Sequence, residues 1–209
     1  MHPIKRRVFT ATTVPWIAGS FSTRLLRGAG AVSVWIGTWR AAGGATIDES
    51  KEGRTDMGAE ARVAELKLEL PPAPKPVATY VTAIRHGDLL YVSGHGPYKS
   101  DGTLIMGRLG ADMDVAGGQA AARQTGLAIL ATLRAHLGSL DKVTQLVKTL
   151  GMVNSTPDFA DQPKVINGYS DLMKDVFGTA GVGARSAVGM GALPGGIAVE
   201  IEAIFQVKD

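Results

Sequence analysis

The run from Val199 to Val207 constrains the fold of this chain more than any other segment. Apolar residues occupy every second position of the run, which predicts a β-strand with one face in a core. The opposite face is not uniformly polar, because Ile204 stands beside the charged positions Glu200 and Glu202. Such a strand belongs in a sheet whose second face is also partly apolar.

A second run, Val143 to Val153, is apolar on both faces as well. Strict alternation predicts one apolar set on each side: Leu146, Leu150 and Met152 on the first, and Val143, Val147 and Val153 on the second. Two apolar faces are expected where a sheet is covered on both sides. We therefore expect other copies of the chain to cover the face that its own helices leave open.

The remaining elements predict the order βββαβαββ. A helix is expected from the N-cap Asp114 to Leu137, and a second from Thr156-Pro157 to Phe177. Two helices can cover only one face of a sheet. The pattern therefore indicates an α+β domain with one open face.

Two short β-prone runs lie before the first of these helices. The runs Tyr80 to Arg85 and Leu89 to Ser93 flank His86-Gly87-Asp88 and predict a hairpin. The proline-rich run 71–76 is predicted as an extended connector that leads into it. A further strand is expected at Ser186 to Leu193.

The net positive charge of the chain is confined to its N-terminal part. Residues 1–47 contain six basic residues and no acidic one, and residues 48–56 carry a net charge of −2. From Met57 onward, 14 basic and 15 acidic residues give a net charge of −1. Because this part has no excess of cations for binding phosphates, we expect no nucleic-acid partner.

Residues 1–56 show no sustained helix or strand period. We expect them to form a disordered leader, followed by a single domain at residues 57–209. Their basic, Ser- and Thr-rich composition without acids before Asp48 is typical of a transit peptide, whereas a secretory signal would need a longer apolar core.

The alternative is that Met57 is the true start. Codons for Lys51-Glu52-Gly53 can form a purine-rich string that resembles a bacterial ribosome-binding site a short distance upstream. We expect a cytoplasmic protein, or a mitochondrial one if residues 1–47 are a transit peptide.

Residue types exclude several kinds of site. The chain has no cysteine, which removes disulfides, thiolate metal sites and a cysteine nucleophile. His86 and His136 lack partners at metal-ligand spacing, and Ser93 with His95 lacks the third group of a hydrolytic triad. We expect no metal and no cofactor. No membrane span is expected either, since no apolar run reaches about 18 residues.

Short motifs follow one another through residues 74–207. They are Tyr80, Leu90-Tyr91-Val92-Ser93-Gly94, Ala121-Ala122-Arg123-Gln124, Val153-Asn154, Asn167, Ala184-Arg185-Ser186-Ala187-Val188, Leu193-Pro194 and Val199-Glu200-Ile201-Glu202-Ala203. Together they resemble the RidA family, also called YjgF-like proteins or reactive intermediate deaminases.

The resemblance implies a chorismate-mutase-like α+β fold, with a mixed sheet and two helices packed on one face. It also implies a homotrimer in which the sheets line a central barrel and clefts lie between the subunits. The implied activity is the hydrolysis of reactive 2-imino acids to 2-oxo acids and ammonia, without a cofactor.

The resemblance assigns roles to seven residues. Arg185 matches the family's carboxylate-binding arginine, whose planar guanidinium can hold a carboxylate through two parallel hydrogen bonds. Glu200 matches the acid that positions the attacking water, and a partly buried carboxylate can exchange protons with water or an imine. The other five match substrate-binding positions: Tyr80, Ser93, Gly94, Asn167 and Ala187.

Two positions depart from the family pattern. Ala187 stands where many imine deaminases carry cysteine, and Ser170 stands where they carry an aromatic residue three positions after Asn167. These differences resemble a less-studied branch of the family.

Other interpretations stay open. One is a trimer of the same family that binds 2-oxo acids or a partner without turnover, and a weaker one is a ribonuclease or translation inhibitor. A structural alternative places Arg185 in an ion pair with Glu200 or Glu202.

Overall fold

The computed structural model describes residues 57–209, and the predicted leader lies outside the described residues. Three helices and five strands follow one another in the order αββαβαββ. They are α1 (Ala59–Glu65), β1 (Ala83–His86), β2 (Leu89–His95), α2 (Val115–Leu137), β3 (Val143–Asn154), α3 (Gln162–Phe177), β4 (Ala184–Met190) and β5 (Val199–Val207).

The five strands form one mixed sheet in the order β1-β2-β5-β3-β4. The pair β3 and β4 is parallel, and every other neighbouring pair is antiparallel. The hairpin of β1 and β2 turns at Gly87, whose φ of 62° suits a residue without a side chain. The predicted α+β fold with a mixed sheet is confirmed.

The predicted third strand before α2 is wrong. The segment between β2 and α2 makes only isolated bridges, among them those that join Tyr98 to Leu104 and Met106 to Ile197. This segment is therefore a loop that lies against the beginning of β5, and it does not form a sixth strand. No helix among residues 57–209 is both long and apolar enough to cross a bilayer.

Helix α2 begins and ends where its sequence predicts. The Asp114 carboxylate accepts a hydrogen bond of 2.8 Å from the Gly117 amide, which satisfies one free N–H of the first turn. Gly138 ends the helix with a φ of 80°. The buried residues of α2 include Gly126, Leu130, Leu133 and Leu137, which form one stripe along the helix.

Helix α3 begins later than predicted, at Gln162, and Pro163 rather than Pro157 lies in its first turn. The Thr156 amide donates instead to the Leu109 carbonyl, in a contact between distant segments of the chain. Residues 156–161 therefore form a turn before the helix. The Thr156 N–H, which would be free at the start of a helix, is instead bonded to a distant segment of the chain.

The alternation predicted for β5 is confirmed. Val199, Ile201, Ala203, Phe205 and Val207 are buried under the helices, whereas the residues between them face the other side of the sheet. Helices α2 and α3 both pack on the buried side, so the second side is left open as expected. Tyr91, Ile84 and Val188 are at least 40% exposed on or beside this open face.

The faces predicted for β3 are partly wrong. Leu146 is buried on the helix face with Val143 and Val153, whereas Leu150 and Met152 lie on the open face. The cause is a pair of register shifts against β5, between Val143 and Gln145 and between Leu146 and Lys148. Each shift gives β3 one extra residue, which inverts the facing of the residues that follow.

Candidate active site

Arg185 lies on the edge strand β4 and points to the helix face. Its neighbour on β3 is Thr149, which in turn pairs with the buried Ala203 on β5, and cross-strand neighbours share a face. The Arg185 Nη1 donates 2.9 Å hydrogen bonds to the Asn167 Oδ1 and to the Ser170 Oγ on α3. The predicted neighbours Arg185 and Asn167 are thus brought together.

The partners of the Arg185 guanidinium are neutral. Besides the two side chains on α3, its Nη2 lies 3.5 Å from the Pro163 carbonyl oxygen. No carboxylate of residues 57–209 lies within 4.0 Å of it, so the ion pair with Glu200 or Glu202 is not formed within the chain. An exposed guanidinium held only by neutral groups keeps its charge available for an anion.

Ala187 lies two residues along β4, on the same face as Arg185. It is half-buried, packs against the hydrophobic core and pairs with Gly151. Its methyl group adds no polar function, so Arg185, Asn167 and Ser170 supply the hydrogen-bonding groups on this side. We call these three residues together with Ala187 the Arg185 half-site.

The other predicted residues line a separate cleft of about 500 Å³ at the ends of β2 and β5. The proline-rich connector and the loop after β2 form its walls. It is lined by Pro74, Lys75, Val77, Tyr80, Thr82, Ser93, Gly94, His95, Gly96, Tyr98, Leu104, Pro194, Gly195, Ile197 and Glu200. Four of the predicted site residues therefore share this cleft, which we call the Glu200 cleft.

Glu200 is half-buried at the second position of β5 and points to the open face. Its carboxylate lies directly against Gly94, where an added Cβ atom would be 2.1 Å from the Glu200 Oε1. A side chain at position 94 would therefore displace the carboxylate. Partial burial raises the pKa of the Glu200 carboxyl, and the nearby negative charge of Glu202 raises it further.

Ser93 and Tyr80 contribute differently to the cleft. The Ser93 hydroxyl donates a 2.6 Å hydrogen bond to the Val81 carbonyl, which ties the end of β2 to the segment just before β1. Tyr80 lines the cleft and is 43% exposed. Ser93 shapes the wall, and Tyr80 offers an apolar surface with a hydroxyl group.

His95 also lines the cleft and supports its wall. It is buried, its Nδ1 lies 2.7 Å from the Ser93 carbonyl oxygen, and its Nε2 lies 2.8 Å from the Thr132 hydroxyl on α2. Burial lowers the pKa of His95, so its neutral form donates through Nδ1 and accepts through Nε2. The His95 ring bonds the Ser93 backbone rather than its hydroxyl group. This geometry differs from that of a Ser/His hydrolase, in which the ring would bond the hydroxyl group.

The two functional groups are not brought together within one chain. Arg185 shares a row of the sheet with Thr149, and Glu200 shares one with Met152, three residues further along β3. An odd separation places the two side chains on opposite faces, and the strand spacings put their Cα atoms about 14 Å apart. A small substrate cannot contact both groups of the same chain.

Sequence reasoning missed part of both regions. Ser170 appeared only as a departure from the family pattern, yet its hydroxyl binds Arg185; its spacing of three from Asn167 on a helix was the available signal. The cleft residues Leu104 and Ile197 carried no signal, since only tertiary folding brings their segments together. Within residues 57–209, no three His, Asp or Glu residues cluster as a metal site would require.

The chain belongs to the YjgF family. Residues 60–196 match the family model described as "YjgF/chorismate_mutase-like, putative endoribonuclease". Similar proteins span nearly the whole described domain. Protein TCP17 of Trypanosoma cruzi is 42% identical over 150 residues, which is 71% of this chain and 94% of that protein.

Solved structures show the same architecture. Protein Atu1372 of Agrobacterium tumefaciens is 43% identical with a TM-score of 0.66, over 72% of this chain and 94% of its own. A Shewanella oneidensis protein that carries the endoribonuclease name is 30% identical with a TM-score of 0.70, over 72% of this chain and 100% of its own. The predicted family and fold are therefore confirmed.

Proposed function

We propose that this protein hydrolyses 2-imino acids to 2-oxo acids and ammonia, at sites formed between copies of the chain. In a trimer, the Arg185 half-site of one protomer would face the Glu200 cleft of the next. One observation carries the proposal: Arg185 and Glu200 lie on opposite faces of one sheet, and neither has an oppositely charged partner among residues 57–209.

Arg185 would bind the carboxylate of the substrate. Its Nη1 already holds two neutral partners on α3, which fix the plane of the guanidinium before the substrate arrives. A carboxylate is the planar anion that this geometry binds through parallel hydrogen bonds. Prior positioning removes part of the entropic cost of binding.

Glu200 would transfer the protons. Its raised pKa makes the exchange of a proton easier near neutral pH than for an exposed glutamate. As a carboxylate, it accepts a proton from the water molecule that attacks the imine carbon. The C–O bond forms as the π bond moves its electrons to nitrogen.

The second half of the reaction returns that proton. Glu200 donates it to the nitrogen, which gives the neutral carbinolamine. Glu200 then accepts the proton of the new hydroxyl group and transfers it to the same nitrogen, as the carbonyl forms and the C–N bond breaks to release ammonia. Water and the imino acid are consumed, and the 2-oxo acid and ammonia are formed, with no oxidant or reductant. The base and the acid are the same group, so no cofactor is needed.

The full-length chain and its Arg185→Ala variant test this proposal. An amino-acid oxidase generates 2-iminopropanoate in the assay, and the release of ammonia is followed with time. We expect the unmodified protein to accelerate ammonia release and the variant to stay near the uncatalysed rate. Equal rates for the two proteins would contradict the proposed role of Arg185.

A second outcome separates catalysis from binding alone. If pyruvate binds in an Arg185-dependent manner while ammonia release stays at the uncatalysed rate, the protein is a binding trimer. The endoribonuclease name of its relatives is tested with RNA and the Glu200→Ala variant. RNA cleavage that persists through repurification and is lost in this variant would favour a nuclease instead.

A further inference from the structure

We propose that the Glu200 cleft contains an apolar subsite, formed by Gly96, Tyr98, Leu104 and Ile197, that selects 2-imino acids with large apolar side chains. This inference rests on the proposed function, since it names the substrate class that the same site prefers. None of these four side chains is charged, and all four residues line the cleft.

The subsite begins where β2 ends. Gly96 follows the last residue of the strand, and a Cβ atom at this position would lie 3.1 Å from the Ile197 Cδ1 and 3.3 Å from the Leu104 Cδ2. Two branched aliphatic side chains thus pack directly against a residue that has no side chain. Together they form an apolar wall at the inner end of the cleft.

The wall is held in place by backbone contacts. The loop after β2 is bridged to itself between Tyr98 and Leu104, and to the segment before β5 between Met106 and Ile197. The Gln124 side chain on α2 also donates to the Tyr98 carbonyl. A wall fixed at several points can discriminate between ligands by shape, because it does not relax around each of them.

The subsite lies next to the proposed reaction centre. Gly94 touches the Glu200 carboxylate, and Gly96 is two residues further along the chain, a separation of about 7 Å in extended backbone. A substrate whose imine carbon lies at Glu200 can therefore direct its side chain into the subsite. A methyl side chain is too short to fill it.

Burial of a larger side chain in the subsite has a predictable effect on binding. Each additional buried methylene should tighten binding about fourfold. An isobutyl group in place of a methyl group should therefore tighten binding by about ten- to sixtyfold, depending on how completely it is buried.

Binding of stable 2-oxo acids tests the subsite without turnover. The full-length protein is titrated by calorimetry with pyruvate, 4-methyl-2-oxopentanoate and phenylpyruvate. We expect the two larger acids to bind at least about tenfold more tightly than pyruvate. The ratio of ammonia release rates from the corresponding imines should follow the same order.

Two variants remove the preference in different ways. Leu104→Ala deletes apolar contacts, and Gly96→Ala adds a methyl group that Leu104 and Ile197 can accommodate only by moving. Each should reduce the preference to about threefold or less. Met106→Ala is the matched control, since it keeps the backbone bridge to Ile197 and removes only a side chain that is 64% exposed and does not line the cleft.

The outcomes separate this inference from the proposed function. Equal affinities for the three acids would overturn the subsite and leave imine hydrolysis intact. A preference that survives in both folded variants would also overturn it. Failure of every 2-oxo acid to bind, together with ammonia release at the uncatalysed rate, would overturn the proposed function and the subsite with it.

Discussion

The Arg185 half-site and the Glu200 cleft are built in different ways. On one side, Asn167 and Ser170 lie three residues apart on α3 and hold the guanidinium at the sheet edge. On the other, the Glu200 carboxylate depends on contacts between β2, β5, the connector and a long loop. Binding of the anion thus relies on local geometry, and proton transfer relies on burial that distant segments create together.

The difference also concerns electrostatics. The Arg185 guanidinium is exposed and keeps its charge with neutral partners, whereas partial burial and Glu202 raise the pKa of Glu200. Each region supplies one function that the other lacks. The two should therefore fail independently when they are mutated, and they should complement each other between chains.

The largest expected effect concerns that complementation. Arg185→Ala and Glu200→Gln should each lower the rate of ammonia release by about 100-fold or more, because each removes a group that acts on the reacting molecule. Co-expressed in equal amounts, the two variants should regain activity, since about a quarter of the sites between copies would receive both intact residues. Steady-state assays of the purified mixed oligomers measure the recovery.

The control for this experiment is a mixture of the two separately folded variants that is assayed at once, before subunits exchange. It should show only the low activity of the single variants. If co-expression restores nothing although mixed oligomers form, Arg185 and Glu200 do not meet between copies and the composite site is wrong.

A smaller effect is expected for Gly94→Ala. The new Cβ atom would lie 2.1 Å from the Glu200 Oε1, so the carboxylate must move. A displacement of this size should lower kcat by about 10- to 100-fold and change KM little, because the Arg185 half-site is untouched. Gly191→Ala is the matched control, since a Cβ atom there meets nothing within 4 Å. An unchanged kcat would show that the position of Glu200 does not limit the reaction.

Ser170→Ala should change KM rather than kcat. It removes one hydrogen bond from the charged Arg185 guanidinium to a neutral hydroxyl, and at this exposed site the loss is about 1 kcal/mol, so KM should rise about fivefold with kcat nearly unchanged. Ser100→Ala removes a hydroxyl from an exposed loop and is the control. A fall in kcat alone would place Ser170 in the chemistry of proton transfer and remove the distinction between the two regions.

The smallest effect concerns stability and pH. Because the folded protein raises the pKa of Glu200 above its unfolded value, the ionised carboxylate destabilises the fold above that folded pKa. This penalty is relieved as the pH falls through the folded pKa and vanishes below the unfolded value of about 4.3. Glu200→Gln should therefore have a slightly higher Tm than the unmodified protein at pH values near 8.

Thermal unfolding from about pH 8 to about pH 4 measures this difference, which should shrink as the pH falls. The control is Glu69→Gln, which removes an exposed acidic side chain outside the cleft. A Tm difference for Glu200→Gln that grows toward acidic pH would contradict the direction of the pKa shift.

Much of the fold was predictable because its signals are local. The Asp114 cap, the Gly138 stop and the alternation of β5 depend on residues that are neighbours in the sequence. The start of α3 was not predictable in the same way. Thr156-Pro157 is a good local start, but a distant contact with Leu109 holds the Thr156 amide in a turn.

The candidate site was likewise predictable in part: sequence motifs indicated some of its residues, and distant contacts brought in the others. The family motifs point to Arg185, Glu200 and Asn167, and the structure places Asn167 against Arg185. The walls of the cleft at Leu104 and Ile197 were beyond prediction, because these residues meet only through the bridges of the loop after β2. No sequence pattern of a loop reports such a contact.

The sequence by itself determined the alternation of β5, where α2 begins and ends, and which residue types are available for catalysis. Only the tertiary structure decided that Leu146 turns to the helix face and that Arg185 and Glu200 point to opposite sides of the sheet. The physical reason is that side-chain chemistry is local, whereas the facing of a residue depends on strand register and bulges, which long-range packing selects.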